Sequence, residues 1–83
     1  MKRYMVHFMR STLVSPREED IKNEQLRVAE LMNQNVIQNI HMSNKMDHLW
    51  MIFVSENEER VVDIIKTLPM SKEFYFDINP LLN

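Results

Sequence analysis

None of the 83 residues is glycine. Every turn must therefore be built from residues that carry a Cβ. Phosphate-cradling loops and dinucleotide fingerprints, which depend on glycine's backbone freedom, are excluded. Where a helix has to end in a left-handed residue, asparagine is the best replacement. Asn35 stands at such a point, between a helical pattern and an alternating one, and is expected to close the first helix.

The pattern on either side of Asn35 sets the element order. Arg3 to Met9 alternates, with Tyr4, Val6 and Phe8 on one face and Met5, His7 and Met9 on the other, which predicts a strand. Ser15-Pro16-Arg17-Glu18 reads as a capping box with proline at the first helical position. The helix it opens runs to about Asn33, with Ile21, Val28, Ala29, Leu31 and Met32 as its apolar stripe and Gln25 filling the gap. Val36 to Met42 is a second strand, with Ile37, Asn39 and His41 sharing one face. Ser43 to Asp47 is a polar turn. His48 to Ser55 is a third strand, apolar on both faces, with Trp50 expected toward the helices and His48 exposed at its start.

Ser55-Glu56-Asn57-Glu58 is a second capping box, ahead of Val61, Val62, Ile64, Ile65 and Leu68, and Pro69 marks the end of that helix. Phe74 to Ile78 is the last strand: Phe74, Phe76 and Ile78 face one way, Tyr75, Asp77 and Asn79 the other. The order β, α, β, β, α, β predicts one α+β domain of ferredoxin-like βαββαβ type. It has an antiparallel sheet in the order fourth, first, third, second, with both helices on one face. Eighty-three residues suffice for one domain and give a small core, which favours association.

Composition narrows function by exclusion. The chain has no cysteine, so disulfides, thiolate nucleophiles and cysteine zinc sites are ruled out. Ten basic residues against twelve acidic ones, with no basic stripe, argue against nucleic acid. The apolar stretch Leu49–Val54 falls far short of the roughly 20 residues of a membrane span, and no apolar run follows the basic N-terminus as a leader would. A soluble, cytoplasmic protein is expected. The eight methionines are expected mainly as core filler.

Two helices cover one side of such a sheet. The other side is expected to carry Met5, Met9, Ile37 and Tyr75 with one row of the third strand, a surface too apolar to stand bare. A second copy packed sheet to sheet covers it most economically, giving a homodimer. The same face holds His7, Asn39, His41, Tyr75 and Asp77. His7 and Asp77 lie on strands expected to be neighbours, where opposed side chains stand about 5 Å apart. His41 is roughly 10 Å off, two strands away. The cluster is a candidate small-molecule site. Nothing in the spacing of His7, His41 and Asp77 demands a metal, and no cofactor is expected.

Ile52-Phe53-Val54 before a polar helix cap, Val62-Asp63-Ile64-Ile65, Leu68-Pro69 and a final strand ending Asn79-Pro80-Leu81 resemble the muconolactone isomerase family, in the dimeric α/β-barrel group of ferredoxin-like folds. Val6-His7-Phe8 is similar to the family's first strand, and Glu24 to Leu31 sits where the family has its Glu-rich first helix. The resemblance implies a homodimer, or a ring of dimers, and proton transfer between carbons of a small unsaturated lactone or enol acid. His7 matches the family's first-strand histidine, and Asp77 falls where the family has an acidic residue. His7, Asp77 and Tyr75 are then the expected catalytic groups, with Asn39 and His41 toward the substrate. The sequence departs from the family at Met9, where a basic residue is usual, at Asn35, where Gly opens the second strand, and along Gln38 to Met42, which lacks arginine. The alternative is a dimeric binding or assembly module that keeps the fold without the chemistry. In that reading His7 is a hydrogen-bonded interface histidine, Asp77 its structural partner and Tyr75 part of the wall.

Overall fold

The structure, a computed structural model, describes residues 1–11 and 17–82. The strands are β1 (Lys2–Arg10), β2 (Ile37–Met42), β3 (His48–Ser55) and β4 (Phe74–Pro80). The helices are α1 (Glu18–Asn33) and α2 (Glu58–Lys66), and a 3-10 turn at Ser71–Glu73 leads into β4. All strand pairs are antiparallel and the sheet order is β2-β3-β1-β4. This is the expected ferredoxin-like βαββαβ arrangement. No helix among the described residues is long and apolar enough to cross a membrane.

The core lies between the sheet and the helices. Tyr4, Val6 and Phe8 of β1 and Met51 and Phe53 of β3 are buried against Leu31 of α1, Val61 and Ile65 of α2, and Leu68. Period-two burial in β1 meets a single buried turn of each helix. Phe8 adds an edge-on contact to Phe74 and a tilted one to Phe76 of β4, with ring centroids 6.2 and 6.0 Å away.

Four local expectations are corrected. The register slips between Ile37 and Asn39, so that Ile37 opposes Phe53 inside the core, 1% exposed, instead of sharing a face with Asn39 and His41. The cap of α2 is Asn57, which accepts the Arg60 N–H at 2.8 Å; Ser55 is buried and donates to the Asn57 carbonyl at 3.1 Å. Along α1 only Leu31 is buried, while Ile21 and Met32 are exposed. The inward line of this helix runs Glu24, Val28, Leu31, a spacing of four and three, so a carboxylate occupies a place the stripe would give to an apolar residue. Of the methionines, Met51 alone belongs to the core. The capping box at Ser15-Pro16 lies outside the described residues, and Arg17 precedes the helix without a side-chain cap.

Among the described residues, two carry the left-handed conformations that glycine would otherwise supply: Asn35 (φ 60°) and Met46 (φ 61°). At Asn35 the Val36 N–H reaches the Leu31 carbonyl (2.9 Å) and the Asn35 N–H reaches that of Met32 (3.0 Å). Leu31 and Val36 pack together in the core, which completes a Schellman end with asparagine in the glycine place. Met46, in the β2–β3 hairpin, has no side-chain chemistry to suit it to that backbone. Met46→Asn is expected to raise stability by about 0.5–1 kcal/mol, or several degrees of Tm in a domain this small. Thermal unfolding that leaves Tm unchanged would remove Met46 as a strained position.

Candidate functional site

On the sheet face away from the helices, cross-strand pairing lines up His41, Trp50, His7 and Asp77, one residue from each strand. Beside this row lie His48, Met9 and Tyr75, and on its other side Asn39, Ile52, Met5 and Asn79. Alternation alone puts these side chains on one face. The centre of the face (His7, His48, Trp50, Met5, Met9) is half-buried, whereas Asn39, His41, Tyr75 and Asp77 at its margins are exposed. Arg3, also on this face, bonds across β3 to Gln38 Oε1 at 3.1 Å.

The central geometry is specific. His7 Nε2 lies 3.0 Å from His48 Nδ1, a hydrogen bond between two imidazoles. The His7 ring is parallel to the Trp50 indole, 3° between planes and 4.9 Å between centroids. His48 in turn has Asp47 Oδ2 3.9 Å from its Nε2. Ser43 donates from its hydroxyl to Asp47 Oδ1 at 2.8 Å, and the same hydroxyl oxygen accepts the His48 backbone N–H at 3.0 Å. The Ser43 bond holds the Asp47 carboxyl below the usual carboxylate range, outweighing partial desolvation, with His48 and Lys45 adding in the same direction. Asp47 is therefore ionised wherever histidine chemistry operates.

An ionised carboxylate beside His48 Nε2 favours the proton on that nitrogen. In the tautomer that carries its proton on His48 Nε2, toward Asp47, His48 Nδ1 accepts from His7 Nε2–H, which leaves the lone pair on His7 Nδ1. The arrangement thus presents His7 Nδ1 as the nitrogen of the pair not used in the imidazole–imidazole bond, beside the Trp50 indole.

His7 and Asp77 are opposed in register, and Tyr75 is opposed to Met9. Among the described residues, however, no hydrogen bond joins Asp77 or Tyr75 to His7; the partner of His7 is His48. Asn39 and His41 share the face at its β2 edge. Trp50 points away from the helices, contrary to expectation, and His48 is drawn into the ring cluster. Sequence reasoning missed Asp47 and His48 as site residues. The available signal was only partial: parity puts His48, Trp50 and Ile52 on one face of β3, and with apolar residues on both faces it does not say that this is the face of His7. Among the described residues no group of three or more His, Asp or Glu is placed to hold a metal ion.

The fold and the imidazole pair define a ferredoxin-like α+β domain with a polar ring cluster on its open sheet face. The chain matches no protein-family model and no curated protein.

Proposed function

We propose that two copies of this chain pack open face to open face, as a dimeric α/β barrel, and enclose a site for a small unsaturated lactone or enol acid. In that site His7 moves a proton between carbons of the ligand. The carrying observation is the Asp47–His48–His7 chain against Trp50, set at the centre of an apolar face flanked by Met5, Met9 and Ile52. The resemblance to muconolactone isomerases supports the same reaction class.

The chemistry balances without a co-reactant. His7 Nδ1 takes a proton from the carbon next to the ligand carbonyl, the electron pair moves into the conjugated system as a dienolate, and the imidazolium returns the proton at the far carbon. Tyr75, Asn39 and His41 around the rim can donate hydrogen bonds to the ligand's oxygens, and Asp77 can accept one from an enol hydroxyl. The second reading, an assembly module that uses the face only to dimerise, is favoured by the absence of a direct bond from Asp77 or Tyr75 to His7.

Met5→Asp combined with Met9→Asp puts four like charges into the enclosed face of the dimer. Sedimentation is expected to show wild type as a dimer and this variant as a monomer with native circular dichroism. An unchanged sedimentation coefficient would sink the face as an interface. With the dimer in hand, binding and turnover of small lactones and enol acids separate the two readings: turnover supports the isomerase, and a dimer that neither binds nor converts them supports the module.

A further inference from the structure

A second feature lies on the other side of the sheet. Between α1, the β2–β3 hairpin and the 3-10 turn is a cavity of about 300 Å³, at the small end of the range for ligand pockets. Four methionines line it, Met42, Met46, Met51 and Met70, with Phe8 and Phe74 among the other walls. Thioethers and aromatic rings make a polarizable, adaptable lining.

Into this apolar lining comes one half-buried carboxylate. Glu24 occupies the inward line of α1, and its Oε1 accepts the Met70 N–H at 3.0 Å. Desolvation pushes the Glu24 carboxyl above its ordinary range, the Met70 bond opposes this, and Glu73 adds like-charge repulsion. One oxygen is thus committed to the backbone, and among the described residues no ion pair supplies Glu24 with a cation. Arg10, which also lines the cavity, has interactions of its own.

We propose that this cavity binds a small hydrophobic amine as its ammonium ion, with the ammonium on Glu24 and the hydrocarbon or ring among the methionines. An ammonium supplies the charge that Glu24 lacks and can lie against the faces of Phe8 and Phe74. A neutral molecule of the same shape fills the same volume and leaves the carboxylate uncompensated. The site is independent of the open sheet face and of the reaction proposed there.

The test uses 2-phenylethylamine, with 2-phenylethanol as its neutral counterpart and 3-phenylpropionate as its anionic one, followed by NMR of the methionine methyl groups at pH 7. The amine is expected to shift the Met42, Met46, Met51 and Met70 methyls and to bind at least tenfold more tightly than the alcohol. Glu24→Gln keeps an oxygen for the Met70 N–H and removes the charge, so it should bring the amine down to the alcohol's affinity. Amine binding should also weaken on acidification, and earlier than it would at an exposed glutamate. Equal affinity for amine and alcohol, a preference for the carboxylate, an amine affinity that survives Glu24→Gln, or no methyl shift because the chain itself fills the cavity would each overturn the proposal.

Discussion

Phe53→Ala will strip the domain of a large share of its stability and move its urea midpoint far below that of wild type. Phe53 has no exposed surface, sits in the central strand β3, and is opposed by Tyr4 on β1 and Ile37 on β2, both buried. Removing a fully buried phenylalanine side chain costs about 3–5 kcal/mol, as lost transfer free energy plus a cavity that the surroundings only partly fill. Domains hold about 0.05–0.15 kcal/mol per residue, which puts a chain of this size at roughly 4–12 kcal/mol in all. The substitution therefore removes a large share of the total. Phe76 sits on the edge strand and is only partly buried, so Phe76→Ala should cost clearly less. Urea unfolding followed by circular dichroism checks both. A Phe53→Ala midpoint close to wild type, or a larger loss at Phe76, would show that the core is not centred on β3.

The contrast between these two positions also marks what the sequence made legible. In β1 and β4 one face is apolar and the other mixed, so alternation alone assigned Tyr4, Val6 and Phe8 inward and Asp77 outward correctly. The element order followed from it, and so did the neighbouring of β1 and β4 that opposes His7 to Asp77. In β3 apolar residues occupy both faces, so parity carries no sign, and Trp50 was placed on the wrong one. The slip after Ile37 inverts parity within β2, and a bulge of this kind leaves no periodic trace. At α2 two capping residues compete two positions apart; the helix takes Asn57, because its oxygen reaches the Arg60 N–H while the Ser55 hydroxyl is used inside the core. Asp47 read as a turn residue and His48 as the exposed start of a strand, and only the folded hairpin brings the imidazole of His48 to His7. Glu24 was hidden differently: it is one charge among many on α1, and its spacing from Val28 and Leu31 was the sign that it faces inward.

The carboxylate that serves His7 is where sequence and structure give opposite results in the same experiment. Sequence spacing and the family resemblance point to Asp77 as the partner of His7, whereas the geometry runs from His7 to His48 and on to Asp47. On the proposed reading, His7→Gln removes the base and should lower kcat by about 10²- to 10⁴-fold, the usual weight of a positioned general base, with ligand affinity little changed. Asp47→Asn should lower kcat by a smaller factor, about tenfold, because it takes away the charge that sets the His48 tautomer and steadies the imidazolium without touching the ligand. His48→Gln should fall between the two, since an amide can accept the His7 N–H but cannot pass the charge on to Asp47. Asp77→Asn should act mainly on KM, because Asp77 stands at the exposed margin and meets the ligand from its rim. The order of kcat losses is thus His7, His48, Asp47, Asp77. If Asp77→Asn instead lowers kcat more than Asp47→Asn does, dimerisation must bring Asp77 onto His7 and the imidazole pair is only a structural clamp. If kcat falls at His7 alone, the base works unaided and the His48 bond merely orients its ring against Trp50. If wild type converts none of the lactones or enol acids and still sediments as a dimer, the cluster holds the interface together. The same four variants should then order themselves by dimer dissociation constant, with the half-buried His7 and His48 ahead of the exposed Asp77.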